Sequence, residues 1–325
     1  MPLDRISSNG LAMRKRIGNI RKAALLVVSF GAMLLSGCIR ESLPTCPPLV
    51  VELTVKDKNY FNIDDAVKLG LMERLAEDLP FRAYVHSLYY VIYDEQGRVI
   101  AEQHNRSVEN DDRVQKIVLP ESLPYGRYSV TVWGNMNSEE PLGEDATQAE
   151  MEAVGAAAND IYLASGEFDY RYGNENFSLG LERTKGNLLI RAEGIPDNID
   201  FSTKNIEDVF AFVDNRFSYS SLTDVHTELD WEVRNEIQTQ TLMCPSPSYE
   251  GSTLSVAFID KSVVEGEDRA SFYPRLEPQD VHITMGRNEI TILKYLYEED
   301  GSGGSFRIYV RVNDNWELLH QMEIE

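Results

Sequence analysis

The sequence predicts an all-β protein made of two β-sandwiches in tandem with short helical insertions, on three observations. Short segments rich in β-branched and aromatic residues recur, separated by Gly, Asn, Asp and Pro. About seven such segments lie on each side of a polar hinge at residues 184–187, as expected for two sandwiches. The roughly 288 residues after Gly37 also exceed what one hydrophobic core usually spans. We therefore expect an N-terminal sandwich at residues 50–184 and a C-terminal sandwich at residues 185–325.

The predicted strands alternate apolar and polar residues, as half-buried strands do. Tyr128, Val130 and Val132, for example, share one face of their segment. The segments before the hinge are residues 50–56, 83–93, 98–104, 114–119, 127–133, 161–163 and 177–181. Those after it are residues 188–193, 208–213, 254–259, 281–284, 289–295, 306–312 and 316–324.

Two helical insertions and two turns are predicted between the strands. Residues 64–79 place apolar side chains on one helical stripe, and residues 147–150 (Thr-Gln-Ala-Glu) form a capping box before an Ala-rich stretch. Residues 94–97 (Asp-Glu-Gln-Gly) predict a hairpin turn, and residues 301–305 (Gly-Ser-Gly-Gly-Ser) a flexible loop. The apolar stripe of the first helix would comprise Val67, Leu71, Met72, Leu75 and Leu79.

The first 37 residues have the three parts of a bacterial lipoprotein signal peptide. A basic segment at residues 14–22 precedes an uncharged, mostly apolar run at residues 23–35, which is too short to span a bilayer. Residues 35–38 (Leu-Ser-Gly-Cys) then give the leucine, two small residues and cysteine at which such precursors are cut and lipidated. We expect cleavage before Cys38, lipid on its sulfur and a linker at residues 38–49. A buried helix with an incidental cysteine is the alternative.

Lipidation of Cys38 would hold the protein on a membrane, because several acyl chains give stable anchoring. Ile39 replaces the Asp that retains lipoproteins in the inner membrane, so the outer membrane is predicted. Removal of residues 1–37 takes away six basic residues and one acidic residue, which changes the formal charge from −22 to −27. Such a surface opposes nucleic-acid binding, which requires Lys and Arg to neutralise phosphates.

Two cysteines, Cys46 and Cys244, remain after Cys38 is assigned to lipid. An exported chain enters an oxidising compartment, so this even remainder predicts a disulfide. Two unpaired thiols are the alternative.

No catalytic, metal-binding or cofactor motif is found, and we predict a non-enzymatic protein without a cofactor. The five histidines are scattered, and no G-x-S-x-G elbow, P-loop or G-x-G-x-x-G is present. Calcium binding at Asp314 and Glu317, or at residues 298–300, is less favoured than solvated turns. The tyrosine-rich residues 87–93 could form an aromatic platform for sugars, although strand propensity explains them more simply.

Several short motifs of the chain resemble the FimB-type fimbrial anchor lipoproteins of Bacteroidales. They are the lipobox ending at Cys38, Cys-Pro-Pro at residues 46–48, and the strands at residues 51–55 and 91–97. Gly-Arg-Tyr-Ser-Val-Thr-Val-Trp-Gly-Asn at residues 126–135 and Lys-Gly-Asn-Leu-Leu-Ile at residues 185–190 complete them. In one departure, only Glu41 is acidic between the first two cysteines, where the family often has an acidic pair, so a surface or a periplasmic orientation stays open.

The resemblance implies two transthyretin-like Greek-key sandwiches and a role at the base of a surface fimbrium in the outer membrane. The implied partners are fimbrial structural subunits, which polymerise by strand exchange in this family. A glycan-binding surface lipoprotein, which the tyrosine-rich strand would suit, is the alternative function. A secreted hydrolase, for which no motif is found, is the other.

The C-terminal segment is our candidate for strand pairing with a fimbrial subunit. Residues 315–325 alternate apolar and polar side chains over most of their length, and an unpaired strand edge is a template for another chain. The alternative is that these side chains complete the core of the second sandwich. The apolar side chains concerned are Trp316, Leu318, Met322 and Ile324.

Cys38→Ala should leave the precursor uncut and release the protein from the membrane, because the lipid is the anchor that the sequence predicts. Fractionation of cells after a high-salt wash measures this. A variant that stays on the membrane would contradict the assignment.

Overall fold

Strands dominate the part of the chain that the structure describes. The computed structural model describes residues 47–119, 123–136, 148–150, 159–231, 236–248, 250–262, 275–300 and 303–321. Within them lie eighteen β-strands, one short α-helix and one 3₁₀ helix. All of these elements belong to one compact unit, Pro47–Glu325. The all-β prediction is confirmed.

The elements of the first half are β1 (Val50–Val55), α1 (Ile63–Lys68), a 3₁₀ helix (Phe81–Ala83), β2 (Ser87–Asp94), β3 (Val99–Ser107), β4 (Gln115–Val118), β5 (Gly126–Gly134), β6 (Gln148–Glu150), β7 (Tyr162–Tyr170) and β8 (Asn176–Arg183). Those of the second half are β9 (Gly186–Glu193), β10 (Phe201–Asp214), β11 (Tyr219–Asp230), β12 (Glu236–Met243), β13 (Ser252–Ile259), β14 (Arg275–Leu276), β15 (Val281–Ile283), β16 (Ile290–Asp300), β17 (Gly303–Val312) and β18 (Asn315–Gln321).

The first sandwich is built from seven strands in the order β3-β2-β5-β7-β8-β1-β4. β7 and β8 pair at only two positions, Tyr162 with Arg183 and Leu163 with Glu182. Side chains of β1, such as Leu53, share one buried core with those of β5, such as Val130. The seven strands therefore form two layers, β4-β1-β8 and β3-β2-β5-β7, joined at the short β7–β8 contact.

The second sandwich packs the sheet β12-β9-β16-β17-β18 against the sheet β11-β10-β13-β14. Its core includes Leu188 and Leu293 from one sheet and Ile206 and Phe258 from the other. β15 pairs with β13, and β6, which precedes the predicted boundary at residue 184, pairs with β10. The domain boundary after residue 184 stays a prediction. β6 precedes this boundary in the sequence but pairs in a sheet of the second sandwich.

The predicted hinge between the sandwiches is buried, with Thr184 and Lys185 at 0% exposure. The Tyr219 hydroxyl donates to the Thr184 carbonyl at 2.8 Å, and the Asn288 N–H donates to the Lys185 carbonyl at 2.8 Å. A Cβ atom on Gly186 would lie 2.2 Å from the backbone oxygen of Gly286, so only glycine fits there. These contacts fix the backbone that leads from one sandwich into the next.

A buried arginine organises this junction. Arg183, which is 4% exposed, forms an ion pair with Asp160 and lies 4.2 Å from the centroid of the Tyr60 ring. Its Nη1 also donates to Asn288 Oδ1 at 3.0 Å. A buried charge that loses its partner destabilises a protein by about 3–5 kcal/mol. The segments that carry Tyr60, Asp160 and Asn288 must therefore come together around Arg183 when the protein folds.

The two sandwiches also share apolar packing. Tyr89, Trp133 and Leu163 of the first sandwich belong to the same buried cluster as the core of the second. On the outer face of the β9–β16 sheet, Ile63 and Leu71 pack with Leu189, Ile290 and Ile292, so the α1 segment covers that face.

Parts of the secondary-structure prediction were wrong. The first helix ends at Lys68, because Gly70 adopts a left-handed φ of 68°, and Val67 and Leu75 are 39% and 42% exposed. Residues 148–150 form β6 and not a helix; residues 147 and 151–158 lie outside the described residues. Residues 303–305 belong to β17 and not to a loop. The hairpin turn at residues 94–97 is confirmed by the 2.9 Å hydrogen bond from the Gly97 N–H to the Asp94 carbonyl.

One lysine lies inside the second sandwich. Lys204 on β10 is 5% exposed, and its Nζ donates to Thr241 Oγ1 at 2.5 Å and to Thr239 Oγ1 at 3.1 Å. Both acceptors are neutral, and burial lowers the pKa of Lys204 to about 8. The charged form is therefore destabilised in the folded protein.

Arg183→Met should destabilise the protein by about 3–5 kcal/mol, because Asp160 loses its partner while it stays enclosed. Urea unfolding measures the loss. Arg127→Met is the control: Arg127 pairs with Glu167 at side-chain exposures of 62% and 65%, and such a pair contributes at most about 1 kcal/mol. Equal losses in both variants would contradict the role of the junction.

Lys204→Met should stabilise the protein at pH 7, and the gain should shrink as the pH rises from 8 towards 10.4. Folded Lys204 releases its proton at about pH 8, whereas the unfolded chain holds it to about pH 10.4. Between these values the unfolded state binds more protons, so the contribution of Lys204 to stability rises with pH. Urea midpoints across this range measure the gain against wild type. Lys116→Met, at an exposed ion pair, is the control, and a gain independent of pH would refute the assignment.

Candidate strand-pairing edge

β18 lies at one end of the five-stranded sheet of the second sandwich. Among the described residues, the strand that pairs with it is β17, on one side only. Its other edge therefore presents backbone N–H and C=O groups without a strand partner in the described part of the chain. Such groups are the template on which a further strand can be added.

A tight turn fixes the start of β18. Val312 pairs with Asn315, and the two residues between them, Asn313 and Asp314, have φ values of 46° and 67°. This is the type I′ hairpin, whose twist matches that of the flanking strands and in which Asn and Asp tolerate positive φ. The register of β18 against β17 is thereby set by two residues.

The predicted residues Trp316 and Leu318 lie on the outer face of this sheet. Trp316 is half-buried against the α1 segment, and its ring centroid lies 4.9 Å from the Lys294 ammonium. Leu318 is 48% exposed. Neither side chain completes the core between the two sheets, so the structure does not support the alternative for these two residues. Met322 and Ile324 lie outside the described residues.

An irregularity of pairing follows Leu318. Leu318 lies opposite Tyr309 and His320 opposite Ile308, so Leu319 is an extra residue without a cross-strand partner in the register. Leu319 is 40% exposed. This bulge places two consecutive leucines at the solvent boundary of an edge strand, where charged residues usually limit association.

Ion pairs connect the turn of the β17–β18 hairpin to α1. Lys68 Nζ donates to Asp314 at 2.6 Å, and Arg311 lies 3.3 Å from Asp314 and 3.9 Å from Asp65. The hydrogen bond from Lys68 lowers the pKa of Asp314, while burial and the neighbouring Asp314 raise the pKa of Asp65. The hairpin is thus held at its turn, and the outer edge of β18 has no strand partner among the described residues.

The predicted cysteine sites are only partly described. Cys38 and Cys46 lie outside the described residues, so lipidation and the disulfide stay predictions. Cys244 is buried, and burial raises the pKa of its thiol to about 11. It follows Met243, which pairs with Gly186 at the junction.

The other chemical possibilities find little support in the described residues. They contain no group of three or more His, Cys, Asp or Glu that could hold a metal ion, and Asp314 is engaged by Lys68. Tyr89 is buried with its hydroxyl bonded to Glu102, and Tyr90 is half-buried at an open groove of about 1250 Å³. β2 therefore presents no exposed aromatic platform. No helix in the described ranges has the length and hydropathy needed to cross a membrane.

Sequence reasoning found β18 but missed what surrounds it. The ion pairs of Lys68, the cover of Trp316 by α1 and the bulge at Leu319 depend on contacts between distant residues. One signal was present: Leu318 and Leu319 interrupt the alternation of the segment, as a bulge does.

One protein-family model matches the first part of the chain. Residues 43–179, which cover the first sandwich into β8, match the family model described as the fimbrillin-A-associated anchor proteins Mfa1 and Mfa2. This match confirms the resemblance to fimbrial anchor proteins that the sequence motifs indicated. No curated protein sequence matches the chain.

Solved structures of the same fold cover most of the chain. The fimbrial anchor protein Mfa2 from Porphyromonas gingivalis is 13% identical, with a TM-score of 0.52 over 85% of this chain and 100% of that one. A candidate adhesin from Bacteroides thetaiotaomicron is 12% identical, with a TM-score of 0.54 over 86% of this chain and 100% of that one. A candidate polysaccharide-binding protein from the same species is 10% identical, with a TM-score of 0.52 over 85% of this chain and 99% of that one. At these identities the similarity establishes the fold.

Proposed function

We propose that the protein is a lipid-anchored outer-membrane protein that acts as an anchor or accessory subunit of a surface fimbrium and binds a fimbrial subunit by strand pairing at β18. The family match over the first sandwich supports the fimbrial role. The signal peptide and Cys38 support the membrane anchor. The observation that carries the mode of binding is the free edge of β18, with Leu318 and Leu319 exposed.

β-Augmentation explains how such an edge would bind. Backbone hydrogen bonds to the added strand supply affinity, and contacts with alternate side chains set its register. Pairing with β17 and the two-residue turn order β18 before a partner arrives, so little ordering entropy is lost on binding.

Another edge strand, β11, offers a useful comparison. It also exposes two leucines, Leu222 at 50% and Leu229 at 40%. Its regularity is broken, however, by Ser221 at a φ of 56° and by a register shift against β10 between Ile206 and Val209. Such irregularities twist an edge away from a straight partner strand. β18 also carries a register shift, at Leu319, but it has one acidic residue, Glu317, whereas β11 has three, Asp224, Glu228 and Asp230. Charged residues oppose strand addition at an edge, so β18 is the better candidate.

Glycan binding is the weaker alternative. Its sequence support was the tyrosine-rich segment, whose residues are buried or half-buried in the structure, some in the first sandwich and some against the second. Neighbouring genes for other two-sandwich lipoproteins would favour the fimbrial role, and genes for outer-membrane transporters and glycosidases would favour glycan capture.

Leu318→Lys with Leu319→Lys should reduce co-purification of fimbrial subunits with the membrane-bound protein by about tenfold or more, the equivalent of 1.4 kcal/mol. Both side chains are exposed, so the variant should fold, while two charges at the edge oppose strand addition. Pull-down from the native membrane, with quantitative identification of the captured subunits, measures the effect.

The matched control is Leu222→Lys with Leu229→Lys on β11, which adds the same charge at similar exposures. We expect normal capture by this variant. Unchanged capture by the β18 variant, with its thermal unfolding preserved, would rule out pairing at β18. Equal loss in both variants would show that charge alone is responsible.

A further inference from the structure

Two exposed tyrosines mark one end of the first sandwich. Tyr172 is 79% exposed in the turn between β7 and β8, and Tyr125, directly before β5, is 43% exposed. The Tyr125 ring lies edge-on to Tyr170, with 4.9 Å between the centroids. The packing of Tyr125 on a buried ring holds one of these aromatic side chains at the surface in a defined position.

The described chain begins at this same end. The Tyr170 hydroxyl donates to the Pro47 carbonyl at 2.7 Å, and the Val50 N–H donates to the Glu175 carbonyl at 2.8 Å. The start of β1 is therefore fixed beside the turn that carries Tyr172. The junction with the second sandwich lies at the other end of β8, about 25 Å away for eight residues.

The distance from the lipid site limits where this end can lie. Pro47 follows Cys38 by nine residues, which reach at most about 30 Å when fully extended. With the lipid of Cys38 inserted in a bilayer, Pro47 stays within that distance of the membrane surface, and the two tyrosines lie at the same end of the sandwich as Pro47. The junction can lie a further strand length away.

We propose that this end of the first sandwich contacts the outer-membrane surface, with Tyr172 and Tyr125 at the level of the lipid headgroups. This inference rests on the proposed lipid anchoring. Tyrosine has an apolar ring and a polar hydroxyl, and it is enriched at membrane interfaces for that reason. The contribution of each ring is small, but a short tether gives an effective concentration in the millimolar range, at which weak contacts are populated.

The charges of the described residues at this end do not form a basic patch. Arg127 pairs with Glu167. Arg171 lies in the segment between β7 and β8 together with Glu175, and Asp169 precedes it at the end of β7. Attraction to anionic lipid through basic residues is therefore not the driving force. Contact through the aromatic rings predicts that binding persists at high salt and with zwitterionic lipid.

Tyr172→Trp in the full-length lipidated protein tests the contact. The variant is reconstituted into phosphatidylcholine vesicles with acyl chains brominated near the headgroup, and its tryptophan emission is compared with that in unbrominated vesicles. We expect emission from position 172 to fall at least twofold on bromination, because quenching requires contact with lipid.

Phe61→Trp is the matched control, since Phe61 is 69% exposed and lies at the junction, where its N–H donates to the Asn288 carbonyl at 3.1 Å. The three native tryptophans give the same background in both variants. Flotation with vesicles but no quenching at position 172 would overturn this inference and leave the lipid anchor intact. Equal quenching at positions 61 and 172 would also overturn it. Failure to float would overturn the lipid anchor and this inference together.

Discussion

The ion pair between Arg183 and Asp160 is the constraint on which the relation between the two sandwiches depends. Arg183 is the last residue of β8, and its partners come from both directions along the chain: Tyr60 and Asp160 before it, Asn288 after it. A buried guanidinium is tolerated only when its charge and its N–H groups are engaged. The loops after β1, before β7 and before β16 therefore meet at one point, and the chain enters β9 in a fixed direction.

That fixed direction brings α1 over the second sandwich. The segment after β1 reaches across the junction, so its apolar side chains cover Leu189, Ile290 and Ile292 on the outer face of the β9–β16 sheet. The same helix supplies Lys68 to Asp314 at the turn before β18. The conformation of the last hairpin thus depends on residues near the start of the first sandwich.

Much of the strand order along the chain could be predicted because half-buried strands alternate apolar and polar residues. β11 and β12 were missed because their sequences are rich in Ser, Thr, Gln and charged residues, with few aromatic side chains. The helix was extended too far because an apolar period of 3.6 residues also occurred in the loop after Gly70. The sequence identified the junction only as a polar hinge, because Thr-Lys-Gly-Asn is polar and the residues that bury it lie far along the chain. Trp316 was assigned to the correct strand, but the cover on its face comes from α1, about 250 residues earlier.

The position of β1 has a mechanical consequence for a chain that is pulled from its N-terminal side. β1 is paired along one edge with β8, over residues 50–55, and along the other with β4, over residues 50–53. A pull on Pro47 along the axis of β1 loads these backbone hydrogen bonds in shear, so many of them must break at the same moment. A strand at the rim, loaded perpendicular to its axis, would instead lose them one after another. The first strand of the sandwich is therefore placed where the fold resists extension best.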